Sequence, residues 1–169
     1  SYKVSRPFNI ATREDMENEA ADDFINFILS KDGQAIVTEN GYIALDTAAE
    51  FKTTGAKGKV VVGGSSSVAP VMEKLIETYK AINPNAEIEL QTTDSTTGMT
   101  SAIDGSYDIG MASRELKDEE IAEGLVGKVI ATNGIAVIVN LNNPTEDMTA
   151  DQVNKIYVGE AYTWDEVAE

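Results

Sequence analysis

Three consecutive serines follow two glycines in Gly63-Gly64-Ser65-Ser66-Ser67, between the apolar run Val60-Val61-Val62 and a segment that reads as a helix. A second stretch of the same form, Asp94-Ser95-Thr96-Thr97-Gly98, closes the next alternating run and opens another helix. Hydroxyls beside the unpaired N–H groups of a helix N-terminus, at the positive end of its dipole, form an anion site. Each hydrogen bond to a charged oxygen contributes roughly 1.5–3 kcal/mol, and the dipole adds about 0.3–2 kcal/mol. Glycines beside them let the backbone come close. Serine and threonine at these positions are also ordinary N-caps, so loop chemistry alone leaves a ligand site and a pair of caps both open. Neither loop continues into the Gly-Lys-Ser/Thr of nucleotide-binding loops. The chain has no histidine to activate a serine as a nucleophile.

Arginines are the next candidates. Arg114, in Ser113-Arg114 directly after "YDIGMA", can offer a planar fork to an oxyanion. Arg6, in "SRPF", is a weaker candidate of the same kind. The acid pairs Asp22-Asp23 and Glu119-Glu120 read as solvated helix faces, and "SKDGQ" and "LNNPTED" miss the spacing of a calcium loop.

Composition narrows the chemistry further. With 13 Lys+Arg against 29 Asp+Glu, the formal charge is −16, which argues against nucleic-acid partners held by a basic patch. It leaves a small anion possible, because exposed charges are screened beyond about 8 Å at physiological salt. The absence of cysteine excludes disulfides, thiolate nucleophiles and Cys-type zinc sites. The absence of histidine removes the usual general base and the commonest transition-metal ligand. The chain therefore reads as a non-enzyme without a cofactor. No apolar run approaches the roughly 20 residues of a membrane helix, and any export signal is expected to be absent or removed.

The elements that must position these loops alternate. "EDMENEAADDFINFIL" (14–29) places Ala20, Ala21, Phe24, Phe27 and Ile28 on one helical face. "SKDGQAIVTENG" reads as a short helix stopped at Asn40-Gly41. Residues 49–58 lack periodicity and read as a linker. Beyond them, "KVVVGG", "AEIELQT", "YDIGMAS" and one or two runs in "KVIATNGIAVIVN" read as strands. Between and after them, "APVMEKLIETYKAI" with Pro70 at its start, the helix opened by "DSTTGMTSAI", "KDEEIAEGL" and "MTADQVNKIYVG" read as helices. Thr149 and Gln152 have capping-box spacing. The alternation indicates an α/β domain with a mostly parallel sheet, whose ligands sit beyond the carboxyl ends of the strands.

Together, "GGSSSVAPVMEKLIETY", "DSTTGMTSAIDGSYDIGMASREL", "IATNGIAVIVN" and "MTADQVNKIYVGEAYTWDEV" resemble the N-terminal part of the phosphate-binding proteins of bacterial ABC importers, over residues 59–169. "YKVSRPFNIAT" and "AADDFINFILSKDGQAIVTENGYIAL" (1–48) resemble that family's C-terminal segment, which returns to complete lobe one. The resemblance therefore implies one lobe of a type II periplasmic-binding-protein fold in circularly permuted order. Its tail comes first, a linker at 49–58 follows, then its head, as from a cut tandem array, with 1–48 and 59–169 forming one domain. The middle of the family, including its Ser-Gly-Thr-Arg type loop, has no counterpart in the chain.

The resemblance further implies inorganic phosphate as ligand, and a second receptor lobe and a membrane permease as partners. It implies an extracellular, cell-surface or periplasmic location, with a lipid anchor outside this segment where the protein is tethered. An isolated lobe is expected to bind weakly or not at all. Ser66 and Ser67 fall on the family's first donor loop, and Ser95, with Thr96 and Thr97 beside it, on the second. Arg114 falls where the best-known members carry an aspartate that accepts a proton from the ligand, which changes how phosphate would be told from sulfate. The alternatives are a receptor lobe for another tetrahedral oxyanion, such as sulfate or molybdate, or a surface domain in which the serine loops are only caps.

Overall fold

The computed structural model describes residues 5–135, 138–143, 145 and 147–167. These fall into two compact units that divide after Ile135, inside the segment 59–169 that the resemblance treats as continuous.

The first unit is built on a five-stranded sheet of order β3-β2-β4-β1-β5. Its strands are β1 (Ser5–Arg13), β2 (Gly58–Ser65), β3 (Ala86–Thr93), β4 (Ile109–Ala112) and β5 (Leu125–Gly134). β2 pairs in parallel with β3 and β4, whereas β1 pairs antiparallel with both β4 and β5. The sheet is thus mixed, not mostly parallel. The cause is β1, which the first segment inserts between β4 and β5 in the opposite direction. Pro7 is tolerated in this interior strand because β4 pairs only with Asn9–Ala11, so the missing N–H lies beyond the end of that partner.

Helices α1 (Glu19–Ile28), α2 (Lys31–Glu39), α3 (Ala69–Ile82), α4 (Ser95–Ile103) and α5 (Asp118–Ala122) flank the sheet. The Asn18 side chain caps α1 by accepting from the Ala20 and Ala21 N–H groups, and donates across to Asp108 and to the Lys59 carbonyl. Residues Ala20, Ala21, Phe24, Phe27 and Ile28 all enter the core, as their spacing requires, against Val60, Val62, Met72, Leu75 and Tyr79. Ser30 caps α2, and Gly41, in the left-handed region at φ 82°, ends it.

The stretch 49–58 lies against this core. Phe51 packs edge-on against Phe27 with ring centroids 5.2 Å apart, and Ala56 is buried. Its anchor is Asp23, which belongs to the core and not to a solvated face: it is 2% exposed. Its carboxylate accepts from Thr53 Oγ1 (2.7 Å), the Thr54 N–H (2.9 Å) and Tyr79 OH (2.7 Å). Asn83 donates to Tyr79 OH and to the Ala56 carbonyl, extending the same network. Burying a carboxylate is costly unless its oxygens are satisfied, and three donors do that here. Asp22, one residue away, stays exposed.

In the second unit, α6 (Ala150–Tyr157) carries the expected capping box: Thr149 accepts from the Gln152 N–H at 3.2 Å and Gln152 Oε1 accepts from the Thr149 N–H at 2.6 Å. Part of the second strand expected within 128–140 lies outside the described residues.

Candidate functional site

The two hydroxyl loops meet at the carboxyl end of the parallel strands. Ser65 and Thr93 are register partners in β2 and β3, and the Ser66 N–H donates to the Thr93 carbonyl at 3.2 Å. Gly64 and Gly98 bring the loops together through the fold's own backbone. A Cβ on Gly98 would lie 2.7 Å from Gly64 Cα, and one on Gly64 would strike the Met111 carbonyl. The glycines expected to admit a ligand instead admit β4 and α4.

The two helix starts differ in what occupies them. At α4, Asp94 is the N-cap: its Oδ1 accepts from the Thr96 N–H (2.8 Å) and the Thr97 N–H (3.0 Å), and Thr97 Oγ1 donates to its Oδ2 at 2.7 Å. The Thr97 hydroxyl and backbone donors hold the Asp94 carboxyl below its ordinary pKa. A carboxylate already sits where the second donor loop was expected to hold an anion. The N–H groups of Thr96 and Thr97 and the Thr97 hydroxyl are thereby taken up by the Asp94 cap, and Ser95 Oγ accepts from the Ser113 N–H at 3.1 Å, tying α4 to the end of β4. The signal was legible, since aspartate before a Ser-Thr-Thr run is a strong N-cap.

At α3 no side chain caps the helix. The Val68 N–H closes a turn to the Ser65 carbonyl and the Met72 N–H makes the helix's first bond, to Val68. Pro70 has no N–H, so the amides of Ala69 and Val71 are the donors left at this end. No acidic residue stands in the first turn, and Lys80 complements the dipole in the last. Ser66 is exposed and Ser67 half-buried, both at this opening, whereas Ser65 is buried and shapes the turn.

The arginines exchange places in importance. Arg114 is closed in a bidentate pair with Glu120, Nη1 to Oε2 at 2.9 Å and Nη2 to Oε1 at 2.7 Å, and Nη1 also donates to the Glu115 carbonyl. Glu120 is 8% exposed and accepts in addition from the Lys117 N–H at 2.8 Å; it is a buried partner and not part of a solvated face. The pair raises the Arg114 pKa and lowers that of Glu120. Arg114 thus fastens α5 to the end of β4, its fork already used. Arg6, the weaker sequence candidate, lies at the serine loop: its Nη2 donates to Ser67 Oγ at 3.2 Å. The structure therefore gathers Ser66, Ser67 and Arg6 at the start of α3, and engages Ser95, Thr96, Thr97 and Arg114 elsewhere.

Comparison with known proteins agrees with this architecture. The PBP superfamily domain profile matches residues 49–169. The chain is 54% identical over 168 residues to "Phosphate-binding protein PstS 2" of Streptococcus agalactiae serotype V, covering 99% of this chain and 57% of that protein. It therefore spans a little over half of that relative's length. A crystal structure of a phosphate ABC transporter phosphate-binding protein from Streptococcus pneumoniae TIGR4 superposes with a TM-score of 0.91 at 38% identity, over 98% of this chain and 64% of that one. A Clostridium perfringens putative phosphate ABC transporter substrate-binding protein with bound phosphate is 43% identical but matches only 64% of this chain and 45% of its own, at a TM-score of 0.53. By profile, sequence and fold, this chain belongs to the PBP superfamily.

Proposed function

We propose that the chain is the phosphate-contacting part of a receptor for an ABC phosphate importer, and that the β2–α3 loop holds the anion. The observation that carries this is the uncapped start of α3, with Ser66 and Ser67 beside it and no carboxylate in its first turn. Two relatives with close sequence likeness are phosphate-binding by name, and one solved relative holds phosphate. The protein acts as a binder and not an enzyme on this reading. Its partners are a second receptor lobe, supplying the remaining ligand donors, and a membrane permease. Its place is outside the cytoplasmic membrane, at the cell surface or in the periplasm.

The same reading covers the chain order. β1 and α1, from residues 1–48, complete the sheet and core that β2–β5 begin, with 49–58 as the joint. The streptococcal relatives match through both segments, whereas the clostridial one matches only about two thirds of the chain. That contrast favours a permuted order fixed in the streptococcal genes over a cut tandem array.

Calorimetric titration of a receptor extended to the relatives' full length is expected to give tight, phosphate-selective heat. The 169-residue chain alone should give weak heat or none. Equal binding of sulfate and phosphate by the extended receptor would overturn phosphate in favour of a general oxyanion site, and absence of heat with either would favour a surface domain with capped loops.

A further inference from the structure

We infer that Arg6, delivered by β1 from the other segment of the chain, supplies the positive charge of the oxyanion site at the start of α3. This rests on the phosphate reading above and adds to it the residue that charges the site.

The case begins with an unmet donor. Arg6 Nε is buried and has no hydrogen-bond partner, and among the described residues it is the buried side-chain nitrogen or oxygen so left. Buried polar groups in native proteins are nearly always paired, and a desolvated charged donor left unpaired is costly. The other contact of the guanidinium is Nη2 to the neutral Ser67 Oγ. Arg6 makes no ion pair with a described residue, unlike Arg13, Lys59, Lys74 and Arg114, whose carboxylate partners lie within 3 Å. A guanidinium held beside a hydroxyl and a helix N-terminus, with its Nε–H unsatisfied, is matched by an oxyanion. An oxyanion at this opening can take the guanidinium's Nη donors beside the serine and amide donors, in the fork geometry that arginine offers and lysine lacks, and its charge offsets the cost of the buried Nε–H.

The backbone explains why the side chain stays poised. Arg6 lies in β1, paired through Asn133 of β5, and Pro7 behind it fixes the local φ. Its position is set by the sheet and not by a mobile loop. Arg114 cannot serve instead, because Glu120 takes both arms of its fork. The site therefore joins residues from both segments of the chain: a cation from the first, and hydroxyls and helix amides from the second.

The test uses the full-length receptor and inorganic phosphate. Arg6→Gln keeps a donor toward Ser67 and removes the charge; it is expected to weaken phosphate binding about 10- to 100-fold, the range for a lost charged hydrogen bond. Arg6→Lys restores charge without the fork and is expected to fall between Gln and wild type. Thermal unfolding without phosphate should be little changed in both. In wild type, the Arg6 Nε–H resonance is expected to shift and become protected from exchange as phosphate saturates the protein, a readout that does not depend on any variant folding. Gln binding phosphate within threefold of wild type, or an Nε–H signal unmoved at saturation, overturns the role of Arg6 while leaving the phosphate reading intact. Wild type that binds no phosphate overturns that reading itself.

Discussion

Asp23→Ala is expected to destabilise the protein by about 3–5 kcal/mol, because it leaves the Thr54 N–H and the Thr53 and Tyr79 hydroxyls without the acceptor they share. At this chain length that lowers the midpoint of thermal unfolding by about 10 °C. The loss should begin locally: Asp23 ties 53–54 to α1, and Phe51 and Ala56 pack only as long as that stretch stays docked. Trypsin is expected to cut the variant at Lys52 and Lys57 before other sites. Asp23→Asn, which keeps the shape but turns one acceptor into a donor, should lie between the two. A variant with wild-type melting and no new cleavage would show that the joint is held by apolar packing alone.

The same network sets a pH profile. Burial pushes the Asp23 carboxyl up, but the hydrogen bonds from Thr54, Tyr79 and Thr53 outweigh it and leave the pKa below the usual carboxylate value. Glu120 is lowered too, chiefly by Arg114. For a carboxyl with a depressed folded pKa, the stabilisation is present above the unfolded pKa and is lost as pH falls through the folded one, so acid unfolding should set in below about pH 4. Tyr79 runs the other way: burial, joined by its bond to Asp23, pushes its phenol up to about 12. Its stabilisation is present below the unfolded value near 10 and is lost as pH rises toward 12.

Gly64→Ala is the second large effect expected, a loss of about 4 kcal/mol or more, or failure to accumulate as soluble protein. Gly64 sits at φ 137°, where a β-carbon is strained, and the added carbon would run into the Met111 carbonyl, with the Met111 N at 2.9 Å and Gly98 Cα at 3.1 Å. All three neighbours are backbone, so no side chain can turn aside. For Gly63→Ala the nearest atoms to the added carbon belong to the Tyr107 side chain and not to backbone, so it should cost less in chemical denaturation. Equal stability of Gly64→Ala and wild type would mean that β2, β4 and α4 can separate without loss, against the packing described.

What could be read from the residues follows the range over which each signal acts. The helical faces, the Gly41 stop and the Thr149–Gln152 box are local, and the structure contains them. β1 escaped periodicity because it is an interior strand holding Pro7 and Asn9, and its antiparallel direction makes the sheet mixed. Asp23 and Glu120 each stand beside an exposed acid of the same type, and one-residue differences in burial leave no mark in composition. The two arginines shared the same Ser-Arg context. What separates them is Glu120, six residues beyond Arg114 and brought back by α5, and the sheet that carries Arg6 to Ser67, sixty-one residues away. Of the two hydroxyl loops, the one headed by aspartate supplied its own anion. The one headed by glycine and serine did not.

The most direct test of the proposed assignment is an amide ¹H–¹⁵N titration, with inorganic phosphate, of the protein extended to the relatives' full length. The expected result is large shifts at Ser66, Ser67, Ala69 and Val71, with Thr96 and Thr97 little moved because Asp94 already holds their N–H groups. Large shifts at Thr96 and Thr97 with the α3 amides unmoved would contradict it and place the anion on the other loop.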